Sequence, residues 1–184
     1  MPPKEKVSKV CVQNTAFAMT REYGFREVTA RKLAERLGCS TQPIFRAYEN
    51  MDELRADLFY MSMNFFIEKM LSVKGKSPAY LGLAMAYIDL ANTEKNLFEL
   101  IASVDDFGTQ TIDEFFDTED GALIYKKIIG SSQIPEKKKK ELFMMFWMFV
   151  HGMASLTAGN RLSLNDREIK GLITKTYEGF VGQL

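Results

Sequence analysis

Residues 29–54, TARKLAERLGCSTQPIFRAYENMDEL, leave this chain little choice of local fold. Ala30, Leu33, Ala34 and Leu37 recur at i, i+3, i+4 and i+7, which lines up one apolar face of a helix. Thr29 stands where an N-cap is needed, and Gly38 stands where the helix must stop. Ile44, Ala47 and Tyr48 repeat the spacing, so a second short helix follows. Pro43 falls in its first turn whether Ser40 or Thr41 is the cap, and there the N–H that proline lacks has no helical partner to lose. Asn50 with Glu53 three residues on then starts a third helix. Two short helices joined through a glycine turn make a helix-turn-helix. With Ile44, Ala47 and Tyr48 turned inward, Thr41, Gln42, Phe45 and Arg46 point out, and a hydroxyl, an amide and a guanidinium suit base edges and phosphates.

The rest of the 184 residues carries the same helical period, with no stretch of strict alternation long enough for a strand, so the expected class is all-α. A first helix is expected over 4–23, with Val7, Val10, Cys11, Thr15, Ala18 and Met19 on its apolar stripe and Gly24 ending it. A long helix follows over 51–73, carrying Leu54, Leu58, Met61, Phe65 and Ile67. KGKSP is a turn in which Ser77 caps and Pro78 opens the next helix. Further helices are expected over 78–92, 94–103, near 110–116, near 119–129, over 135–159, and from Asn165 or Asp166 to Phe180. The domain boundary is drawn at residue 50, giving domains 1–50 and 51–184.

Net charge is zero but uneven: residues 1–50 hold nine Lys and Arg against five Glu, and the remainder is acidic by the same margin. A basic front end on an acidic body points to a polyanion contact in the N-terminal third. Cys11 and Cys39 form neither a CxxC pair nor a metal-ligand spacing, and MPPKEKVSKV lacks the apolar core of a signal peptide, so the expected compartment is the cytoplasm. His151 is the only histidine, which rules out a multi-histidine metal site; beside Gly152 it suits a structural hydrogen bond between helices. No glycine-rich phosphate loop, nucleophile elbow or metal pattern occurs, so neither an enzyme nor a cofactor is expected. Residues 142–159 contain no Lys, Arg, Asp or Glu and sit at the lower edge of the roughly 18–20 residues a bilayer span needs. His151, Gly152, Ser155 and Thr157 interrupt their second half, which favours a helix buried among others.

Residues from about 15 to 58, and above all YGFREVTARKLAERLGCSTQPIFRAYENMDELRADLF, resemble the N-terminal DNA-binding domain of TetR-family transcriptional regulators. The threonine-capped helix, the glycine turn, the aromatic pair and the start of the connecting helix occur in the family's order; the total length and FVHGMASL match it more loosely. The resemblance implies a three-helix DNA-binding domain joined by a long helix to a helical domain that binds a small molecule and dimerises. Thr29 matches a phosphate-contacting helix start, and Ser40, Thr41, Gln42 and Arg46 match the recognition helix and its cap. Phe45 matches a position usually held by a tyrosine whose hydroxyl reaches a phosphate, and Met51 one commonly held by lysine. Both departures remove a side-chain phosphate contact; Arg31, Lys32 and the basic first helix are the candidates to replace them, and the backbone amide of Met51 can still serve.

In the body, Met61, Phe65, Met85, Phe98, Phe107, Phe116, Tyr125 and Phe146 are candidates to line an apolar pocket, though each also suits the core. Leu142, Phe146, Phe149, Met153 and Leu156 recur at three and four along one of the last two helices, as do Ile169, Leu172, Ile173, Thr176 and Phe180 along the other, the spacing of a four-helix dimer interface. Phe149, Met153, Leu156, Ile169, Ile173 and Phe180 are its candidate contacts. The partners expected are therefore a palindromic operator in double-stranded DNA, an apolar effector and a second copy of the chain, with no membrane. The function expected is a ligand-responsive repressor. The alternative is a helical interaction or membrane-associated protein without sequence-specific DNA binding.

Overall fold

The computed structural model describes residues 7–74, 78–102, 114, 117–130 and 134–184. Among these there are only helices and turns. The α-helices are α1 (Lys9–Tyr23), α2 (Ala30–Arg36), α3 (Gln42–Ala47), α4 (Met51–Leu71), α5 (Ala79–Thr93), α6 (Lys95–Ala102), α7 (Glu119–Ile129), α8 (Glu136–Ala158) and α9 (Asp166–Gln183). The expected helix near 110–116, apart from residue 114, which is helical, and the Ser77 cap lie outside the described residues. The chain divides into two compact units, Met1–Phe65 with Glu94–Gly108, and Phe66–Thr93 with Thr109–Leu184. The division falls inside α4 and again between α5 and α6.

In the first unit, α1 begins at Lys9 because the Ser8 hydroxyl accepts a hydrogen bond from the Cys11 N–H at 3.2 Å. Its buried face is Val12, Ala16, Met19 and Thr20, about a third of a turn from the expected stripe: Val10, Cys11 and Ala18 are exposed. Gly24, at a φ of 84°, turns the chain into a short 3₁₀ helix, Phe25–Glu27. Thr29 then caps α2 by accepting from the Lys32 N–H. The end of α2 is a Schellman motif: the Cys39 N–H donates to Ala34 O at 3.0 Å and the Gly38 N–H to Glu35 O at 3.1 Å. Gly38 has a φ of 64°, in the left-handed region, with open space where a Cβ would stand. Gly38→Ala is therefore expected to cost about 1–2 kcal/mol from backbone strain alone, measurable as a lower midpoint in urea unfolding of the purified protein.

Thr41 is the cap residue of α3, and Pro43 is the second residue of that helix. No Thr41 side-chain bond closes the cap; its carbonyl accepts from the Ile44 and Phe45 N–H groups. Asn50 caps α4 with bonds from the Asp52 and Glu53 N–H groups at 3.0 and 2.9 Å, while the Glu53 carboxylate reaches back to the Glu49 N–H at 2.7 Å. Val12, Ala16, Leu33, Ile44, Tyr48, Leu54, Leu58 and, from α6, Leu100 close one core. The Arg21 guanidinium makes a two-pronged contact with the Glu94 carboxylate, its Nε 3.0 Å from Oε2, and Asn96 Nδ2 donates to Arg21 O at 2.9 Å. These bonds bind α6 to α1.

The second unit packs α5 against α8. Tyr87 shares a 2.9 Å hydrogen bond with His151 Nδ1 and lies against Trp147, and Asn92 Nδ2 donates to Thr157 Oγ1 at 3.2 Å. Burial pushes the His151 pKa down and that of Tyr87 up, so the pair is neutral. The structural hydrogen bond expected of His151 is thus present. Tyr80 stacks on Tyr177, and both meet Phe146 edge-on. Asn165 and Glu168 close a reciprocal capping box at the start of α9. Lys137–Ala158 is long and apolar enough to cross a membrane by length and composition, and 39% of its most apolar window is buried in the chain.

Candidate nucleic-acid interface

The exposed face of the helix-turn-helix is made by what its core takes away. Ile44 is fully buried, Tyr48 nearly so and Ala47 partly, which leaves Thr41, Gln42, Phe45 and Arg46 exposed together on α3. Ser40 is exposed just ahead of them. Met51 is half-buried and packs on the core of the first unit, so its side chain is engaged inward at the start of α4.

One carboxylate sets where this face sits. Asp57 Oδ2 accepts from Gln13 Nε2 of α1 at 2.7 Å and from the Tyr48 hydroxyl at 2.9 Å, joining three helices at one atom. Lys9 stands 3.5 Å from both Asp57 and Glu53, with its ammonium 4.4 Å from the centre of the Tyr48 ring. Burial raises the Asp57 carboxyl, but the bonds from Tyr48 and Gln13 outweigh it and the net direction is down, so the acceptor stays ionised. Burial and then the Asp57 bond hold the Tyr48 phenol well above its usual range, so it stays a donor. Sequence reasoning missed this junction. Gln13 and Asp57 are 44 residues apart, and neither breaks the helical pattern around it.

The cations of the first unit fall into two groups. Lys32 is paired with Glu27, and Arg36 Nη1 with Glu22 at 3.0 Å. Arg26, Arg31 and Arg46 are exposed and make no ion pair among the described residues. Of the two cations expected to replace lost phosphate contacts, Arg31 is unengaged and Lys32 is already half-compensated. Arg26 was overlooked, because the 3₁₀ turn that presents it has no apolar period. Thr29 is exposed, and its oxygen accepts the capping bond while its O–H proton is left to donate elsewhere.

The pocket candidates are drawn from both units. Met61, Phe65 and Phe98 belong to the first unit, where Met61 packs on the core, Phe65 meets Phe17 edge-on, and Phe98 is buried. In the second unit Phe146 is buried between Tyr80 and Tyr177, and Tyr125 lies against Phe143. Met85 lines a cavity of about 340 Å³ together with Val73, Leu81, Ala86, Asp89, Asp166 and Lys170. Phe107 and Phe116 lie outside the described residues. Among the described residues, no group of three or more His, Cys, Asp or Glu is placed to hold a metal.

The candidates for a dimer face divide as well. Met153, Ile169 and Ile173 are buried in the chain's own core, Phe149 and Phe180 are half-buried, and Leu156 is 43% exposed. Met148 on α8 and Leu172 on α9 are exposed too, at 58% and 42%. A Cβ added at Gly152, Gly171, Gly179 or Gly182 would meet nothing within 4 Å.

No protein-family profile and no curated protein sequence matches the chain. Among solved structures, the crystal structure of Mycobacterium smegmatis AmtR aligns over 96% of this chain and 88% of that one, with 10% sequence identity and a TM-score of 0.47.

Proposed function

We propose that the chain is a DNA-binding transcriptional regulator of the TetR kind, working in the cytoplasm as a homodimer. The observation that carries this reading is the outward set Thr41, Gln42, Phe45 and Arg46 on α3, in a unit that also exposes Arg26 and Arg31. A six-residue helix seated on a core of its own unit and bare on its other side is what entry into a major groove requires. The unpaired arginines supply the sequence-independent attraction to phosphate. Gln42 supplies an amide able to pair with adenine N6 and N7, and Thr29 a hydroxyl proton for the backbone.

The dimer reading rests on α8 and α9. Met148, Gly152 and Leu156 follow one another at i, i+4 and i+8, and Gly171, Leu172, Lys175, Gly179 and Gly182 share one side of α9. Each glycine in a helix interior costs about 0.5–1 kcal/mol relative to alanine. Among the described residues nothing fills the space above the four glycines, so a helix from a second copy packed closely there accounts for them. A two-fold dimer reads a palindromic site, with its recognition helices one turn of DNA apart or a multiple of it.

An apolar small molecule held by the second unit would release the DNA by favouring one of two arrangements of α4, which makes the protein a repressor. This is a population shift and needs differential affinity of the ligand for the two arrangements. The rival reading, a membrane-associated helical protein, takes its support from Lys137–Ala158. Elution as a dimer without detergent separates the two.

The direct test is binding of the purified protein to duplex DNA at several salt concentrations. Arg46→Ala is expected to weaken binding to its selected sequence more than to random duplex. Gln42→Ala is expected to relax base preference at one position by about 1–3 kcal/mol. Equal loss on selected and random DNA would refute a base-reading role for α3.

A further inference from the structure

Phe45 is the outlier on the outward face of α3. Phe45 is 51% exposed although the core beneath it is already closed by Ile44 and Tyr48, so packing on that core does not explain it. It sits four residues after Thr41 and three after Gln42, and therefore shares their face of the helix. A phenyl ring neither donates nor accepts, so it has nothing to offer a phosphate. The one apolar group that a DNA major groove displays on its base edges is the 5-methyl of thymine. We propose that Phe45 reads a thymine by packing its ring on that methyl group. The inference rests on the regulator reading above and sharpens it. The half-site then holds an A·T pair that Gln42 identifies by hydrogen bonding and a thymine that Phe45 identifies by contact alone.

The contact has a chemical signature, because uracil differs from thymine only by the methyl group. Duplexes enriched by the full-length protein from a random pool supply the probe. Each thymine is then replaced by deoxyuridine at equivalent places in the two half-sites, and affinity is measured at one fixed salt concentration. The wild-type protein is expected to lose about fourfold per half-site at one thymine, the worth of one buried methyl-sized group. Phe45→Ala is expected to bind thymine and uracil duplexes equally, while Phe45→Leu keeps part of the preference. Because Phe45 is exposed, both variants should melt as the wild type does. If uracil is tolerated at every position, or if Phe45→Ala keeps the same penalty, DNA binding stands and the methyl contact is wrong. If no duplex is enriched at all, the regulator reading fails and takes this inference with it.

Discussion

Leu58→Ala is expected to lower the stability of the first unit by about 2–5 kcal/mol, the range for emptying a buried leucine site. That is a large part of the roughly 5–15 kcal/mol that holds a typical domain together. Leu58 is fully buried on α4 and packs in the cluster that also holds Leu33 of α2, Ile44 of α3 and Leu100 of α6. The helices α1, α2 and α3 have only 15, 7 and 6 residues, too little apolar surface to close a core between them. The first half of α4 and α6 complete it, which is why the unit extends to Phe65 and takes back Glu94–Gly108. The expected result is an early loss of amide protection across α1 to α3, with α8 still protected, and a parallel loss of DNA affinity. Hydrogen exchange read by mass spectrometry separates the units without assuming one transition. Leu58→Met keeps the volume and is expected to cost less than about 1.5 kcal/mol. Uniform loosening of both units, or unchanged protection in α1 to α3, would contradict the division.

What could be read in advance follows the range of the forces involved. Thr29, Gly38, Asn50 and Asn165 announce helix ends because caps and left-handed turns act over three or four residues. The outward set on α3 was legible because Ile44 and Tyr48 leave a six-residue helix a single choice of face. The phase of α1 was not. Val7, Val10 and Cys11 make as good a stripe on paper as Val12, Ala16 and Met19, and only the partners of α1 decide between them. On α4 the buried positions run Leu54, Leu58, Ser62, Phe66, Met70, so a serine stands in the core row and its hydroxyl is satisfied by Leu58 O at 2.7 Å. A polar residue in that row hides the period. The contacts that tie elements together, Gln13–Asp57–Tyr48 and Arg21–Glu94, span long separations and leave no local trace. In α8 and α9 the three-and-four spacing marked apolar residues on both sides of each helix: Met153, Ile169 and Ile173 face inward, while Leu156 and Leu172 lie on the bare side, joined there by Met148, which the spacing did not single out. Two apolar faces on one helix give one blurred period.

That bare side carries the largest effect expected on function. Leu172→Glu places a carboxylate in the middle of the proposed contact between copies, near Gly171 and Gly179, and two-fold symmetry places a second one with it. Leu172 is exposed in the single chain, so the substitution leaves the core of its own unit untouched, and helix content and melting of the monomer should hold. The pair of like charges, both desolvated, is what the dimer cannot accommodate. Sedimentation should then show a monomer at concentrations where the wild type is dimeric. Affinity for a palindromic duplex should fall by about 10²–10⁴, the usual gain from joining two half-site contacts, while affinity for a single half-site stays the same. Leu156→Glu on α8 should reproduce the result from the other helix, and Leu172→Met should not. A monomeric variant that bound the palindrome as tightly as the wild type would mean that the two half-sites are not read by one dimer. A dimeric variant would place the contact between copies on another face and leave the four glycines without a physical reason.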